Sequence, residues 1–561
     1  MNRSLPLGAV RPLGDRAFLI GVADPEDGRA LATALAETDD WPVESLDVVC
    51  GFATVMVALR EAEIDAAAIE EIVQRQAARR PSRNASPARG REVVVSCAFD
   101  GPDLDEVAAF AGCSRDDLVA LLCATRLTVS VMGFSPGFAY LDGLPDALAA
   151  VPRRDRPRPA VPAGSVALAN GHAAVYPTAS PGGWQLVGRT AFPFFTPTVA
   201  PYAALAPGDV VRFTVAGPGE PVVPEPTAPL AWAAADRARP VLEIVAPGLR
   251  AVLQDRGRTG VAAIGVPQGG PADPDSFELA NRLVGNRSGA GALELTAGGA
   301  RVACLSACHV AVVGAVPDVR VDGAAVPAGQ VVPLAPGQLL EIGRLRGGLR
   351  TYLGVAGGLR GPEVFASVAS DELSGLGPGP LAAGRILSAG PWEPPLGDHL
   401  LPGLPRQIAG DAPLVVRVVV GPHGERFVPD VAARLAGRRF RVGERSNRVG
   451  LRLEMYEDGG PRRDLTTGER TELDSQGVVT GVVQIPPGGE PLVLGPDHAT
   501  LGGYPVAAVV AAVDHALLGQ CAPGCEVRLE PVGLEEARRA WRTWRHRLDA
   551  AVQGPYPVTA G

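Results

Sequence analysis

The sequence predicts a mainly β protein with a small α/β unit at its N terminus. Three observations predict it. Glycine (69 residues) and proline (54) together exceed a fifth of the 561-residue chain. Apolar runs of strand length lie between the turns these residues mark, with no repeat period. Glycine admits backbone angles other residues avoid and proline fixes φ, so this spacing suits short strands and sharp turns. The first eighty residues differ from the rest, strand-like runs alternating there with helical periodicity.

Within residues 1–80, GDRAFLIGV and VVCGFATVMVAL predict strands, while EDGRALATALAET and EAEIDAAAIEEIVQRQAARR predict amphipathic helices. PSRNASPARG, residues 81–90, is a polar linker. REVVVSCAF opens a second unit over residues 91–214, with helices expected at DLDEVAAFAG and SRDDLVALLCATR, the latter capped by Ser114. From Gly133 to Thr190 the chain reads GFSPGFAYLDGLP, then RPRPAVPAGSVALANGHAAVYP, then SPGGWQLVGRT, the pattern of a small, sharply turned barrel. PYAALAPGDVVRFTV closes this unit, and residues 215–240, rich in Pro and Ala, read as a linker. Residues 241–532 form the next unit, where DSFELANRLVG predicts a helix that Asp275 can cap and residues 308–343 read as strand and turn throughout. The tail, residues 533–561, holds a basic amphipathic helix, LEEARRAWRTWRHRLDAAV, expected to pack on the surface.

A formal charge of −9 without clustered positive charge argues against a nucleic-acid surface; Asp155 interrupts the run from Arg153 to Arg158. No apolar run reaches the ~20 residues of a membrane span, and the N terminus shows no signal-peptide core, so a cytoplasmic protein is expected. The chain has no lysine, and all 52 basic residues are arginine. It therefore has no biotin-accepting lysine and no phosphate-loop lysine; arginines, backbone amides or a metal would have to hold any ATP phosphates. The eight cysteines include two C-x3-C pairs, Cys304 with Cys308 and Cys521 with Cys525. Zinc sites favour closer, matched pairs, so buried or incidental thiols are expected and no metal site is assigned. If RVACLSACHVAVV is one strand, Cys304, Ser306 and Cys308 share a face.

The block from Gly133 to Thr190 resembles the family of the B component of 5-oxoprolinase, also called allophanate hydrolase subunit 1. The run VLEIVAPGLRAVLQDRGRTGVAAIGVPQGGPADPDSFELANRLVGN from Val241, and GVVQIPPGGEPLVLGPDHATLGGYPVAAVV from Gly481 to Val510, resemble the C component of the same enzyme, the biotin-dependent-carboxyltransferase-like family. The order, B-like then C-like, resembles fused forms and the carboxyltransferase region of urea amidolyase. The resemblance implies cyclophilin-like β-barrels in both halves. It also implies a component of an ATP-dependent 5-oxoprolinase that opens 5-oxo-L-proline to L-glutamate with a separate A-type subunit, using ATP, with Mg, and no attached biotin. Other readings stay open: an allophanate hydrolase or urea amidolyase-like amide or carboxyl-transfer component, or a non-enzymatic regulator of a histidine kinase.

Asp497 leads the site candidates. It lies where a strand meets glycines, so its carboxylate can approach a ligand closely, as a base or as a holder of metal-nucleotide. In that role, Asp497→Asn is expected to cost turnover and leave folding little changed; the alternative is a turn cap. Thr500, Gly502, Gly503 and Tyr504 match the family's motif after it, while His498, expected at the surface, and Leu501 depart from it. Gln484 matches IQVP, and Ser446, Asn447 and Arg448 match SNRMG. Gln254, Asp255, Arg258 and Asp273 match TVQDLGRPG and GVPVSGAMD in part. In the B-like half Ser165, Gln185 and Arg189 are the polar candidates, Arg189 for a carboxylate or phosphate or as a structural arginine. Tyr140 and Trp184 are expected to pack in the barrel, and His172 to sit in a hairpin turn. The family's Gly-Ser-Arg-Ser-Thr reads Ala366 to Ser370, with Val368 where arginine is expected. Leu122, Pro380 and Gln476 depart from family residues too, which points to an altered substrate, weakened activity or a shifted alignment.

Overall fold

In the computed structural model the described residues are 5–38, 41, 45–60, 66–78, 90–224, 232, 238–392, 397, 399–408, 412–427, 431–455, 473–486 and 488–553. The fold is mostly β. The N-terminal unit is a four-stranded sheet of Val10–Pro12, Ala17–Gly21, Thr54–Leu59 and Ser45–Cys50, in that order, with helices Pro25–Ala36 and Ala66–Ala78. Its central strands are buried on both faces. Phe18, Ile20, Val55 and Val57 pack on the two helices, while Ala17, Leu19 and Met56 face the rest of the molecule. Alternate side chains of a strand point to opposite faces, so one short strand serves two cores.

The second unit is a seven-stranded sheet closed into a barrel by bonds between Ala98 and Arg189, each backbone N–H donating to the other's carbonyl at 2.8 Å. Its first and last strands, Glu92–Cys97 and Val210–Val215, run parallel. Ser114 caps its helix as expected, its Oγ accepting from Asp117 N at 3.1 Å. The C-like half holds two β units: a ten-stranded sheet between Arg239 and Ala389, and a closed barrel between Leu414 and Pro531. The barrel again closes on a parallel pair, Leu414–Val420 with Glu526–Pro531.

Three local expectations are corrected. The helix Pro274–Leu283 is capped by Asp273, whose Oδ1 accepts from Ser276 N at 2.9 Å, because Pro274 occupies the first helical position. Asp275 lies inside the first turn and accepts from Trp544 Nε1 at 2.7 Å. RVACLSACHVAVV is two strands, ending at Cys304 and restarting at Cys308, and a bend brings the buried sulfurs to 4.0 Å. His498 is buried, its Nδ1 2.7 Å from Ala499 O, and burial pushes its pKa down. The tail helix Leu534–Asp549 lies where expected, on the surface of the C-like half. Trp544 and Leu548 enter a core with Phe277 and Leu283, and Arg545 pairs with Glu278 at 2.8 Å.

The halves share a large apolar core. Leu13, Leu19 and Met56 of the N-terminal unit, Phe138, Tyr140, Tyr176 and Trp184 of the first barrel, and Val478, Leu501 and Val509 of the last barrel all meet in it. Tyr140 and Trp184 thus pack as expected, with ring centroids 5.7 Å apart. The two most family-like motifs touch here: Phe134 N donates to Thr500 Oγ1 at 3.1 Å. A Cβ on Gly133 would fall 2.6 Å from the Leu501 side chain, so glycine is needed for this approach as well as for its φ of 145°.

Candidate functional site

A cleft of about 2060 Å³ runs along the C-like half and reaches the N-terminal unit. Leu13 to Ala17 and Ala58 to Arg60 line one side. Residues 285–291, 357–360, 447–448 and 494–496 line others, and the tail helix contributes Trp541, Arg542 and Arg545. Ten arginines line the cleft, Arg16, Arg60, Arg256, Arg282, Arg287, Arg350, Arg360, Arg448, Arg542 and Arg545, against the carboxylates of Asp15, Asp275, Glu278 and Asp549. So positive a wall favours anions.

Beneath one wall lies a buried ionic network. Arg448 grips Asp497 with two hydrogen bonds, Nε to Oδ2 at 2.9 Å and Nη2 to Oδ1 at 2.8 Å, and reaches Glu294 Oε1 with Nη1 at 2.6 Å. Glu294 also faces Arg350 at 3.3 Å and accepts from Tyr352 Oη at 2.7 Å. Burial alone would raise Glu294, but Arg448 and Arg350 outweigh it and hold the carboxyl down to about 2. Burial likewise opposes charge on Arg448, yet Asp497 and Glu294 prevail and keep it protonated far above its ordinary range. Asp273 extends the network, accepting from Gln520 Nε2 at 2.6 Å; burial raises its carboxyl. Asp497 is therefore the fully buried half of an ion pair rather than a carboxylate exposed at a turn, which argues against the expectation that Asn would leave folding little changed.

Beside Asp497 is a second cluster that lacks full satisfaction. Arg258 is buried, with Nη2 donating to Ala369 O at 2.5 Å while Nε and Nη1 have no hydrogen-bond partner. Asp371 Oδ1 accepts from Ser374 N at 2.7 Å, but its Oδ2 is unpartnered, as is Gln254 Oε1. Burial, then the charge of Asp497, raises Asp371 to about 7; burial also lowers Arg258. A Cβ on Gly269, which lines the cleft, would sit 3.4 Å from Arg258 Nη1 and 3.6 Å from Asp371 Oδ2, so this pair stands one glycine behind the cleft wall. The neighbouring turn is strained: Phe365 and Ala366 have φ of 54° and 57°. Asp255 holds the turn's far side, accepting from Ser367 Oγ at 2.6 Å and Val368 N at 2.8 Å, while Phe365 packs on Tyr202 of the B-like half at 4.7 Å.

The structure thus brings together Gln254, Asp255, Arg258, Asp273, Arg448 and Asp497. It places Ser165, Gln185 and Arg189 in the first barrel, away from the cleft lining. Arg189 forms a two-pronged pair with Asp100, 2.7 and 3.0 Å, on the surface. Ser165 donates to Pro162 O at 2.7 Å and Gln185 to Pro152 O at 3.3 Å, both local structural bonds. Gln484 donates to Tyr504 O at 3.4 Å, Thr500 lies at the junction of the halves, and Gly502 and Gly503 sit against Gln484 and Leu473 within the C-like half. Ser446 and Asn447 brace turns, accepting from Arg452 N and Val449 N at 3.0 Å. Val368 and Leu122 join apolar cores, Gln476 is buried beside His423, and Pro380 is exposed. Asp371, Glu294, Arg350 and the cleft arginines Arg16, Arg60, Arg287, Arg360, Arg542 and Arg545 were not singled out from the sequence; only their tertiary neighbours reveal them.

Residues 264–531 match the family described as carboxyltransferase domain, subdomain A and B, and residues 9–205 match carboxyltransferase domain, subdomain C and D. The chain is 35% identical to the C component of 5-oxoprolinase from Escherichia coli K12 over 310 residues, covering 54% of this chain and 94% of that one. It is 47% identical to the B component of 5-oxoprolinase from Escherichia coli O157:H7 over 120 residues, covering 21% and 55%. The crystal structure of TTHA0988 superposes with a TM-score of 0.78 at 32% identity, covering 93% of this chain and all of that one. Against the urea amidolyase of Lachancea kluyveri, 30% identical over 331 residues, the chain spans 18% of the relative's length.

Proposed function

The chain belongs to the carboxyltransferase-domain family, and we propose that it is the fused B- and C-type component of an ATP-dependent 5-oxoprolinase that works with a separate A-type subunit. The composite cleft carries this reading. Residues 13–17 and 58–60 of the B-like half line it together with the C-like half, and a shared apolar core binds the two. The two family models match separate stretches of this chain, residues 9–205 and 264–531, so one molecule assembles a cleft that draws on both.

A lactam is a poor electrophile, and ATP supplies the phosphoryl group that turns its oxygen into a leaving group. The chain's own part is electrostatic. Cleft arginines offset the charge of a carboxylate and of phosphates, which guanidinium matches in a two-pronged fork. Asp371, raised to about 7 behind Gly269, can take or give a proton at neutral pH. The residues suit phosphate oxygens; among the described residues no group of three His, Cys, Asp or Glu is set to hold a metal, so Mg would arrive on the nucleotide.

The test is 5-oxoproline-dependent ADP release by the purified chain with and without an A-type subunit. Turnover is expected only with the partner. Glutamate production by the chain alone, or none with the partner, would overturn the proposal. Carboxyl transfer is the second reading, favoured by the family's description. With no lysine in this chain, its biotin would ride on another, and turnover with a carboxylated biotin carrier would decide for it.

A further inference from the structure

We propose that the loops 285–291 and 357–360, together with Arg256, form a polyphosphate-binding subsite in the cleft. The inference rests on the reading of this cleft as the working site and deepens it by placing the phosphate chain of an ATP-like ligand.

Arg256, Arg287 and Arg360 all line the cleft. Arg256 donates through Nη2 to Ser288 Oγ, and its stem crosses Gly289, where a Cβ would fall 2.5 Å from Arg256 Cδ and 2.7 Å from Nε. Arg360 lies over Gly390 in the same way; a Cβ there would fall 2.9 Å from Nη2 and 3.2 Å from Nε. Neither glycine has a positive φ, so the backbone does not demand glycine at either place. At Gly289 the space taken by the arginine does; at Gly390 the Gly357 carbonyl oxygen, 2.8 Å from such a Cβ, crowds it together with Arg360. Arg287 projects from the loop that Gly289 belongs to. The loops are pinned to each other: Leu359 N donates to Gly291 O at 2.8 Å, and Gly357 N donates to Asn286 Oδ1 at 2.9 Å.

Arg256, Arg287 and Arg360 are exposed, and among the described residues none is ion-paired with a carboxylate. Other cleft arginines are paired: Arg282 and Arg545 with Glu278, Arg350 and Arg448 with Glu294. Holding Arg287 and Arg360 on two pinned loops beside Arg256 costs free energy that a bound anion offsets. A lone carboxylate brings one charge; a di- or triphosphate brings several along a chain and can meet all three forks. In a chain without lysine, arginine is the side chain left to do this.

The test is calorimetric titration of the full chain with tripolyphosphate, then ATP, without metal and without any partner subunit. 5-Oxoproline and glutamate form the carboxylate arm. Tripolyphosphate should bind at one site per chain, and Arg287→Gln or Arg360→Gln should each weaken it about tenfold, the scale of one charge-assisted pair. Arg320→Gln, on an exposed hairpin where Arg320 pairs with Asp318 at 3.2 Å, should change nothing. Thermal melts establish that each variant is folded. Absence of tripolyphosphate binding by the folded wild type overturns the proposal. So does an equal loss in Arg320→Gln, or a dependence on Arg287 and Arg360 shown by carboxylates alone. Phosphate binding without 5-oxoproline turnover would sink the proposed reaction and leave this subsite standing; turnover without it would do the reverse.

Discussion

Asp497→Asn should destabilise the C-like half strongly. Asp497 is fully buried and Arg448 is 4% exposed, and they share two hydrogen bonds of 2.8 and 2.9 Å. Glu372 N adds a third to Asp497 at 2.8 Å. Removing the charge leaves Arg448 with Glu294 alone, and Glu294 already serves Arg350. Breaking a buried pair from one side costs about 3–5 kcal/mol, because the remaining charge is left uncompensated. Asparagine keeps one acceptor, which places the loss near the lower end, about 3 kcal/mol. With a urea dependence of about 1–3 kcal/mol per molar, the midpoint should fall by about 1–3 M. The assay is urea unfolding followed by circular dichroism. Arg448→Met added to Asp497→Asn should restore part of the loss, since it removes the stranded charge. An aspartate that merely capped a turn would exchange for asparagine almost without cost. A midpoint shift under about 0.2 M would therefore refute the ion-pair argument.

Two further expectations follow from burial. Asp371 is raised to about 7 from 3.8, so between those values it is protonated in the fold and ionised in the unfolded chain. Its contribution to stability is present below the window and is lost as pH rises through it. Asp371→Asn should accordingly flatten the fall in urea midpoint between about pH 4 and about pH 7, and parallel slopes for the two proteins would count against the assignment. Protease should nick the chain within residues 215–240, as a linker predicts. The two pieces should then co-elute on gel filtration, because both contribute to one apolar core; separate elution would show that core to be too weak to join them.

Much of the fold was legible because it is written in local patterns. Alternating Phe18, Leu19 and Ile20 announces a strand, and Ser114 followed by Asp117 announces a helix start. The family motifs were legible too, but as markers rather than as roles: GFSPGF and HATLGGYP proved to touch each other where the halves join. Local cues failed where two neighbours compete for one position. Asp273 takes the cap because Pro274 fits the first helical turn, leaving Asp275 to pair with the tail through Trp544.

The mainly β architecture, the α/β start, the family and an all-arginine cation set could all be read from the order of the residues. Periodicity and composition are properties of neighbours along the chain. Packing, in contrast, is what locks Asp497 to Arg448, carries Arg448 to Glu294 across 154 positions, and spends Arg189 on Asp100 at the surface. Packing also sets Asp371 near neutrality one glycine behind the cleft. Charge pairing, desolvation and the resulting pKa depend on distances between residues far apart in the chain. Those distances exist only once the barrels have packed.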